Sequence, residues 1–249
     1  MSNTPIKQAV LLAAGTGSRL MPLTAECPKC MVKVAGRAIV DTLLDALAEL
    51  GIEEIVVVTG YKEESLRQYL QERGGFQWRF IHNERYATTN NILSLQVAAD
   101  AIKAPFVLVE SDIYLRREVL APLREPDQIL VAPYTAEMDG TGITIGADGQ
   151  AEEMVIRAHL ARPDSLSSMH KTVSFYSFSQ ATWEVYRGAL AKWVEQGRLD
   201  QYYEAVLAEL INSQAISMQA ADIGAEGWAE VDDADDLARL EARLGSKRV

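Results

Sequence analysis

The passage that most constrains this chain runs from Ile6 to Leu20 and reads Ile-Lys-Gln-Ala-Val-Leu-Leu-Ala-Ala-Gly-Thr-Gly-Ser-Arg-Leu. A short apolar run closed by a glycine-rich turn suits a buried strand that delivers its end, near Ala13, to a loop of phosphate size. Downstream, Ile39, Leu43, Leu44, Leu47 and Leu50 keep helical spacing and stop at Gly51, so a helix is expected over 37–50. The β-branched run Ile55–Thr59 is bounded by Gly60 and precedes a helical pattern from Glu63 to Gln71. Trp78–His82 is the next strand, Asn90–Ile102 the next helix, and the run from Phe106 leads into Glu110-Ser-Asp112. Strands alternating with helices predict an α/β fold with a Rossmann-like mixed, mostly parallel central sheet flanked by helices. In such sheets ligands collect at the carboxyl ends of strands. Gly15–Arg19, Gly60–Lys62 and Glu110–Asp112 all fall there.

The second half changes texture. Strands are expected at 128–134, 142–146 and 172–178, then helices at 180–196, 199–211 and 232–244. No low-complexity linker divides the halves and no repeat is present, so residues 1–249 are read as a single domain. The 48% hydrophobic and 24% charged content is ordinary for a folded protein and excludes disorder or a disulfide scaffold. A net charge of −11 argues against a nucleic-acid surface, and an anionic ligand would need a local basic pocket or a metal. The N-terminus lacks the basic and apolar segments of a secretory signal, and no stretch is long enough for a bilayer, so a cytoplasmic location without membrane contact is expected. Cys27 and Cys30 form a C-x-x-C pair without a second pair to complete a zinc site, and Pro28 and Lys29 between them belong to a polar loop.

The chemistry concentrates between Leu12 and Lys29. Gly15 and Gly17 can turn backbone N–H groups toward phosphate oxygens, and Arg19 and Lys29 supply positive charge that the composition otherwise withholds. Leu20 stands where a dinucleotide fingerprint needs its third glycine, and the Walker pattern is absent. Two carboxylates from distant segments, Asp112 and Asp232, suit Mg²⁺, which takes a few carboxylates together with phosphate oxygens and water. Asp233 is the alternative to Asp232 if the register of the acidic run differs by one. Blander readings stand beside these. Asp112 could cap a turn, the 232–236 run could complement a helix dipole, Asn90 and Asn91 could be helix caps, Lys171 could be a surface residue, and Tyr202, Tyr203 and Glu204 could serve helix packing.

The string Leu12-Ala-Ala-Gly-Thr-Gly-Ser-Arg-Leu-Met-Pro-Leu-Thr-Ala-Glu-Cys-Pro-Lys29 resembles the signature of the sugar-1-phosphate nucleotidyltransferase family. The resemblance implies a nucleotidyltransferase A-type fold, in which Leu12, Ala13, Ala14, Gly15, Thr16 and Gly17 wrap the triphosphate. Arg19 would neutralise the departing pyrophosphate and Lys29 would contact phosphate at the reacting centre. Asn83-Glu-Arg-Tyr-Ala-Thr-Thr-Asn-Asn-Ile-Leu-Ser-Leu95 resembles a segment of cytidylyltransferases, which implies CTP and puts Asn83, Thr88 and Asn90 beside the nucleotide. Lys171-Thr-Val-Ser-Phe-Tyr-Ser-Phe-Ser179 and Met138-Asp-Gly140 resemble the 2-aminoethylphosphonate branch. The acceptor side would then be formed by Asp112, Tyr114, Asp139, Lys171, Tyr202 and Glu204, with Mg²⁺ on Asp112 and Asp232. Residues 1–112 become mainly nucleotide-binding and 113–249 mainly acceptor-binding. The implied partners are CTP and a small phosphonate or phosphate acceptor, and a homodimer is left open. Phosphocholine cytidylyl transfer, sugar-1-phosphate uridylyl or thymidylyl transfer, and a non-catalytic nucleotide-binding regulator are the rival readings.

Overall fold

The computed structural model describes residues 4–135, 138, 140–156 and 169–245. The first strand, β1 (Gln8–Ala13), is buried along its whole length. Its side chains alternate between two cores, Val10 and Leu12 facing one and Ala9, Leu11 and Ala13 the other. Its one polar member, Gln8, is buried but satisfied, donating to the Ala101 carbonyl and accepting from Lys103 N–H. Two short strands, β2 (Lys33–Val34) and β3 (Arg37–Ala38), form a hairpin ahead of α1 (Ile39–Leu50). The helix therefore starts two residues later than its periodicity suggests, because the hairpin claims Arg37 and Ala38. It ends as expected at Gly51, whose φ of 86° accommodates the left-handed cap.

There follow β4 (Glu54–Thr59), α2 (Glu63–Arg73), β5 (Gln77–His82), α3 (Asn91–Ala98) and β6 (Phe106–Glu110). β4 and β6 flank β1 and β5 lies beyond β4, all four strands parallel, in the order β5-β4-β1-β6. After β1 the chain winds outward on one side through β4 and β5, then crosses back to lay β6 on the other. The order thus reverses between β1 and β6, where a crevice opens beyond the carboxyl ends of the strands. Leu12 and Glu110 are register partners at that crevice.

The remaining elements are β7 (Ile113–Leu115), β8 (Gln128–Pro133), β9 (Thr141–Ile145), β10 (Ala151–Ile156), β11 (His170–Phe178), α4 (Gln180–Glu195), α5 (Tyr203–Asn212), β12 (Gln219–Asp222), β13 (Trp228–Glu230) and α6 (Ala234–Gly245). β11 joins the halves by pairing antiparallel with β6, β8 and β9, giving one mixed sheet of nine strands and a single domain. Helices α3, α4 and α5 cover one face, while α1, α2 and the turn-rich segment Arg117–Arg124 cover the other. No helix among the described residues is long and apolar enough to cross a membrane.

Besides the β2/β3 hairpin, four strands lack a readable signal. β7 and β13 are three residues each, β12 reads Gln-Ala-Ala-Asp, and β10 carries two glutamates. α5 begins at Tyr203 rather than Leu199 because tertiary bonds claim the preceding turn. Asn90 donates to the carbonyls of Leu199 and Asp200, and Asn91 Oδ1 accepts from Tyr203 N–H.

Asp45 on α1 ties this helix to three other segments by accepting ion pairs from Arg37, Arg73 and Arg117, the last two at 2.6 and 2.8 Å. Burial would raise its pKa, but Arg37 and Arg117 outweigh it and hold the carboxyl below its ordinary value of 3.8. A depressed folded-state pKa contributes stability that is present above the ordinary value and lost as pH falls through the depressed one. Asp45→Asn should cost about 1 kcal/mol at neutral pH, read as a lower urea midpoint, and the gap from the parent protein should close in strong acid.

Candidate active site

The loop after β1 is set by two glycines with different duties. Gly17 has φ 60°, and a Cβ there would lie 2.9 Å from Lys29 Cβ, so the loop can lean on Lys29 only without a side chain. Thr24 Oγ1 donates to the Gly17 carbonyl at 2.9 Å and holds the turn. Gly15 differs, because a Cβ built on it meets nothing within 4 Å and enters open space. Gly60 at the end of β4 presses against the same loop, with an added Cβ falling 2.6 Å from the Ala14 carbonyl, while Tyr61 N–H donates to that carbonyl at 3.1 Å.

The loop forms one wall of a cavity of about 340 Å³ at the β1/β6 crevice. Every loop residue expected there lines it, from Leu12 through Gly17, as do Arg19, Lys29, Asn90, Asp112 and Asp232. Asn83 and Thr88 do not. Asn83 is buried, donating to Ser94 Oγ at 3.1 Å and accepting from Arg85 N–H, so it shapes the turn before α3. Thr88 is exposed and donates to the Arg85 carbonyl. The same turn instead presents Tyr86, Thr89 and Asn91 to the cavity.

A second cavity of about 700 Å³ adjoins the first, and Arg19, Asn91, Glu110, Asp112 and Asp232 line both. Lys29 Nζ, on the side of the glycine-rich loop, bridges the two aspartates across this boundary, 3.0 Å from Asp112 Oδ2 and in a short contact with Asp232 Oδ1. Burial alone would lower the lysine pKa, but Asp112 and Asp232 raise it well above its ordinary value, so Nζ carries its charge. Arg19 adds a contact to Asp232 at 3.1 Å, and Lys29 and Arg19 together hold that carboxyl below its usual range against the opposing effect of burial. Asp233 has another task. Its Oδ1 accepts from the N–H groups of Asp235 and Asp236, while Asp236 Oδ2 accepts from those of Asp232 and Asp233, a reciprocal cap on α6. Asp232 is therefore the member of the acidic run that faces the cavities.

Asp112 Oδ1 is buried and finds no partner. A buried carboxylate oxygen left over in this way is what a small cation would satisfy, and Mg²⁺ needs only one or two protein carboxylates besides phosphate and water. The donor pair Asp112 and Asp232 fits that ion. No group of three or more His, Cys, Asp or Glu side chains converges for a metal among the described residues, so nothing resembles an all-protein cage.

Lys171 lines the larger cavity from β11, 4% exposed despite its charge, with Nζ 3.2 Å from Glu230 Oε2. It is not a surface lysine. Burial would lower its pKa, whereas Glu230 and then Glu204 raise it. Glu230 is itself pushed up to about 7 by burial, and further by Asp112 and Asp232, against the opposing pull of Lys171. Glu204 and Tyr202 line the same cavity. Tyr114 does not, because the β7/β13 pairing turns it toward a small separate core containing Leu20, Val231 and Leu240. Asp139 lies outside the described residues. Glu110 and Glu230 went unnoticed as separate cavity residues. Glu110 sits in the shared wall, where burial followed by Asp112 and Glu204 pushes its pKa well above the ordinary carboxylate value. The signal for Glu230 was present, since it is the glutamate two residues before Asp232.

Comparison with known proteins gives the chain a family. A family model described as nucleotidyl transferase matches residues 8–130. A UTP–glucose-1-phosphate uridylyltransferase, AglF, of Haloferax volcanii is 33% identical over 185 residues, covering 70% of this chain and 72% of that protein. The chain belongs to the nucleotidyl transferase family. Another relative of this nucleotidyl transferase, a CMP-5'-(3-aminopropyl)phosphonate synthase of Streptomyces rubellomurinus, is 28% identical over 97% of this chain but only 39% of its own length. The aligned stretches span between 36% and 47% of the first curated relatives matched. The solved structure of CTP:phosphocholine cytidylyltransferase (LicC) of Streptococcus pneumoniae superposes with a TM-score of 0.79 at 23% identity, covering 97% of this chain and all of the other, which establishes the shared fold.

The two loop glycines should separate in a stability measurement. Gly17→Ala is expected to cost about 1–3 kcal/mol, from positive φ and the contact with Lys29, whereas Gly15→Ala should stay within about 0.5 kcal/mol of the parent in urea unfolding.

Proposed function

We propose that this nucleotidyl transferase moves CMP from CTP to a small amino-phosphonate or amino-phosphate, with 2-aminoethylphosphonate the favoured acceptor, and releases pyrophosphate in a Mg²⁺-dependent reaction. The observation that carries the proposal is the pair of adjoining cavities whose common boundary holds Arg19, Asp112 and Asp232. Two ligands bound there would meet where the positive and negative groups of the site are concentrated. Residues 1–112 supply most of the nucleotide compartment, and 113–249 most of the acceptor compartment.

The reaction is an in-line displacement. An oxygen of the acceptor's phosphonate or phosphate attacks the α-phosphorus, a new P–O bond forms, the bond to the β-phosphate oxygen breaks, and its electron pair leaves with pyrophosphate. Such transfer depends on positioning and charge neutralisation and needs no nucleophilic side chain. The amides around Gly15 to Gly17 hold the triphosphate, with the open space above Gly15 leaving room for it. Arg19, 66% exposed at its side chain at the mouth of both cavities, favours pyrophosphate departure. Lys29 stays charged beside the reacting phosphate, and Lys171 approaches the acceptor's anionic end from β11. Mg²⁺ held by Asp112 and Asp232 would supply charge stabilisation to the phosphate oxygens.

The cytidine preference is supported by the segment Asn83–Leu95 and by the CMP-forming relative that aligns with nearly the whole chain. Phosphocholine cytidylyl transfer is a rival acceptor choice with the same nucleotide. A second reading, uridylyl transfer to a sugar phosphate, draws support from the AglF similarity. Lys171 and the acidic acceptor cavity weigh against a neutral sugar ring. A silent regulator would have little use for a charged Lys29, a buried Lys171 and an orphaned Asp112 oxygen.

Pyrophosphate release should be screened with four nucleoside triphosphates against aminoethylphosphonate, phosphoethanolamine, phosphocholine and glucose-1-phosphate. CTP with an amino-phosphonate or amino-phosphate should give the highest kcat/KM, and preferred turnover of UTP with the sugar phosphate would overturn the cytidylyl reading. Asp112→Asn should lower kcat by about 100-fold or more at saturating Mg²⁺, and a loss under tenfold would remove Asp112 from the metal site.

A further inference from the structure

Of the acidic side chains lining the larger cavity, Glu204 is the one whose partners are all uncharged hydroxyls. Asp112 and Asp232 share Lys29, Glu230 pairs with Lys171, and Glu110 accepts from Asn91 Nδ2 at 3.3 Å. Glu204 is 7% exposed and accepts from Thr141 Oγ1 on Oε2 at 2.8 Å, and from Thr172 Oγ1 and Tyr176 OH on Oε1, the first at 3.2 Å and the second in a short contact. A carboxylate offers about four lone-pair sites. Three are occupied by donors from β9 and β11, so one remains, on Oε2, in a group that cannot swing away.

We infer that Glu204 reads an N–H of the acceptor's ammonium, and that the site therefore selects acceptors with a primary amine over quaternary ones. This rests on the proposed CMP transfer to an amine-bearing acceptor and narrows it. A trimethylammonium has no N–H to donate, and proteins that hold one surround it with aromatic faces. Among the described residues Tyr202, 48% exposed, is the one aromatic side chain in this cavity. The residues at 136, 137, 139 and 157–168 include no Phe, Tyr or Trp. Lys171 and Glu204 line one cavity, and the positive one suits the acceptor's anionic end while the negative one suits its cationic end. β11 bulges between Thr172 and Tyr176, with Ser174 at φ 55°; Lys171 and Ser174 line the cavity, while Thr172 and Tyr176 brace Glu204 from behind it.

The test uses the full chain with CTP and Mg²⁺ and three acceptors: 2-aminoethylphosphonate, its N,N,N-trimethyl derivative, and ethylphosphonate. For the parent protein, trimethylation should lower kcat/KM by about 100-fold or more, as for a site left with an unpaired polar group. Glu204→Gln should shrink the preference for the aminated acceptor over ethylphosphonate, read as the ratio of their kcat/KM values, by about 30-fold, a change in ratio that a purely structural role of Glu204 would not produce. Turnover of the trimethylated acceptor within threefold of its parent would overturn the inference while leaving cytidylyl transfer in place, and that comparison needs no variant to fold. Pyrophosphate release confined to sugar phosphates would overturn both.

Discussion

Lys29 holds the two halves of the site together. Its Nζ reaches Asp112, which follows β6, and Asp232, which precedes α6 and is 120 residues further along the chain. The lysine can stand there because Gly17 yields the space beside its Cβ and because both carboxylates offset the cost of burying its charge. Much else follows from this arrangement. The loop from β1 is pressed against Lys29, the two aspartates are gathered at the boundary of the cavities, and one oxygen of Asp112 is left over for a cation.

The sheet order explains why these groups meet at all. The reversal between β1 and β6 opens a crevice at their carboxyl ends, so the phosphate-sized loop and Glu110–Asp112 emerge side by side. β11 then extends the same sheet antiparallel beyond β6 and brings Lys171 to the far side. A glycine-rich loop with a second cavity next to it is the outcome of continuing one sheet rather than of docking a second domain.

The acceptor pocket differs in character from the loop. In the loop Gly15 faces open space and Arg19 is largely exposed, whereas Lys29 is held between Asp112 and Asp232. The pocket fixes charged side chains by pairing them, Lys171 with Glu230 and Glu204 with three hydroxyls, and fixed groups discriminate because a wrong ligand leaves them unpaired. These fixed groups lie in the second half of the chain.

The strands around the crevice and most helices were legible in the sequence, since burial on two faces imposes continuous apolar runs and burial on one face imposes helical spacing. So were the loop, Lys29 and Asp112 as candidate groups beside the crevice, through their spacing and position, whereas Lys171 was singled out by resemblance alone and its burial came from the structure. Position within the acidic run was not legible. Asp232 and Asp233 are chemically identical neighbours, and only the cap on α6 sends one to the helix and the other to Lys29. Asn83, Thr88 and Tyr114 do not line the two cavities for a related reason: a turn bond, an exposed turn and a three-residue strand pairing decided where they point. Local sequence determined which elements form and which groups could do chemistry. Which of those groups share a cavity depended on contacts between segments far apart in the chain, and no local pattern encodes those.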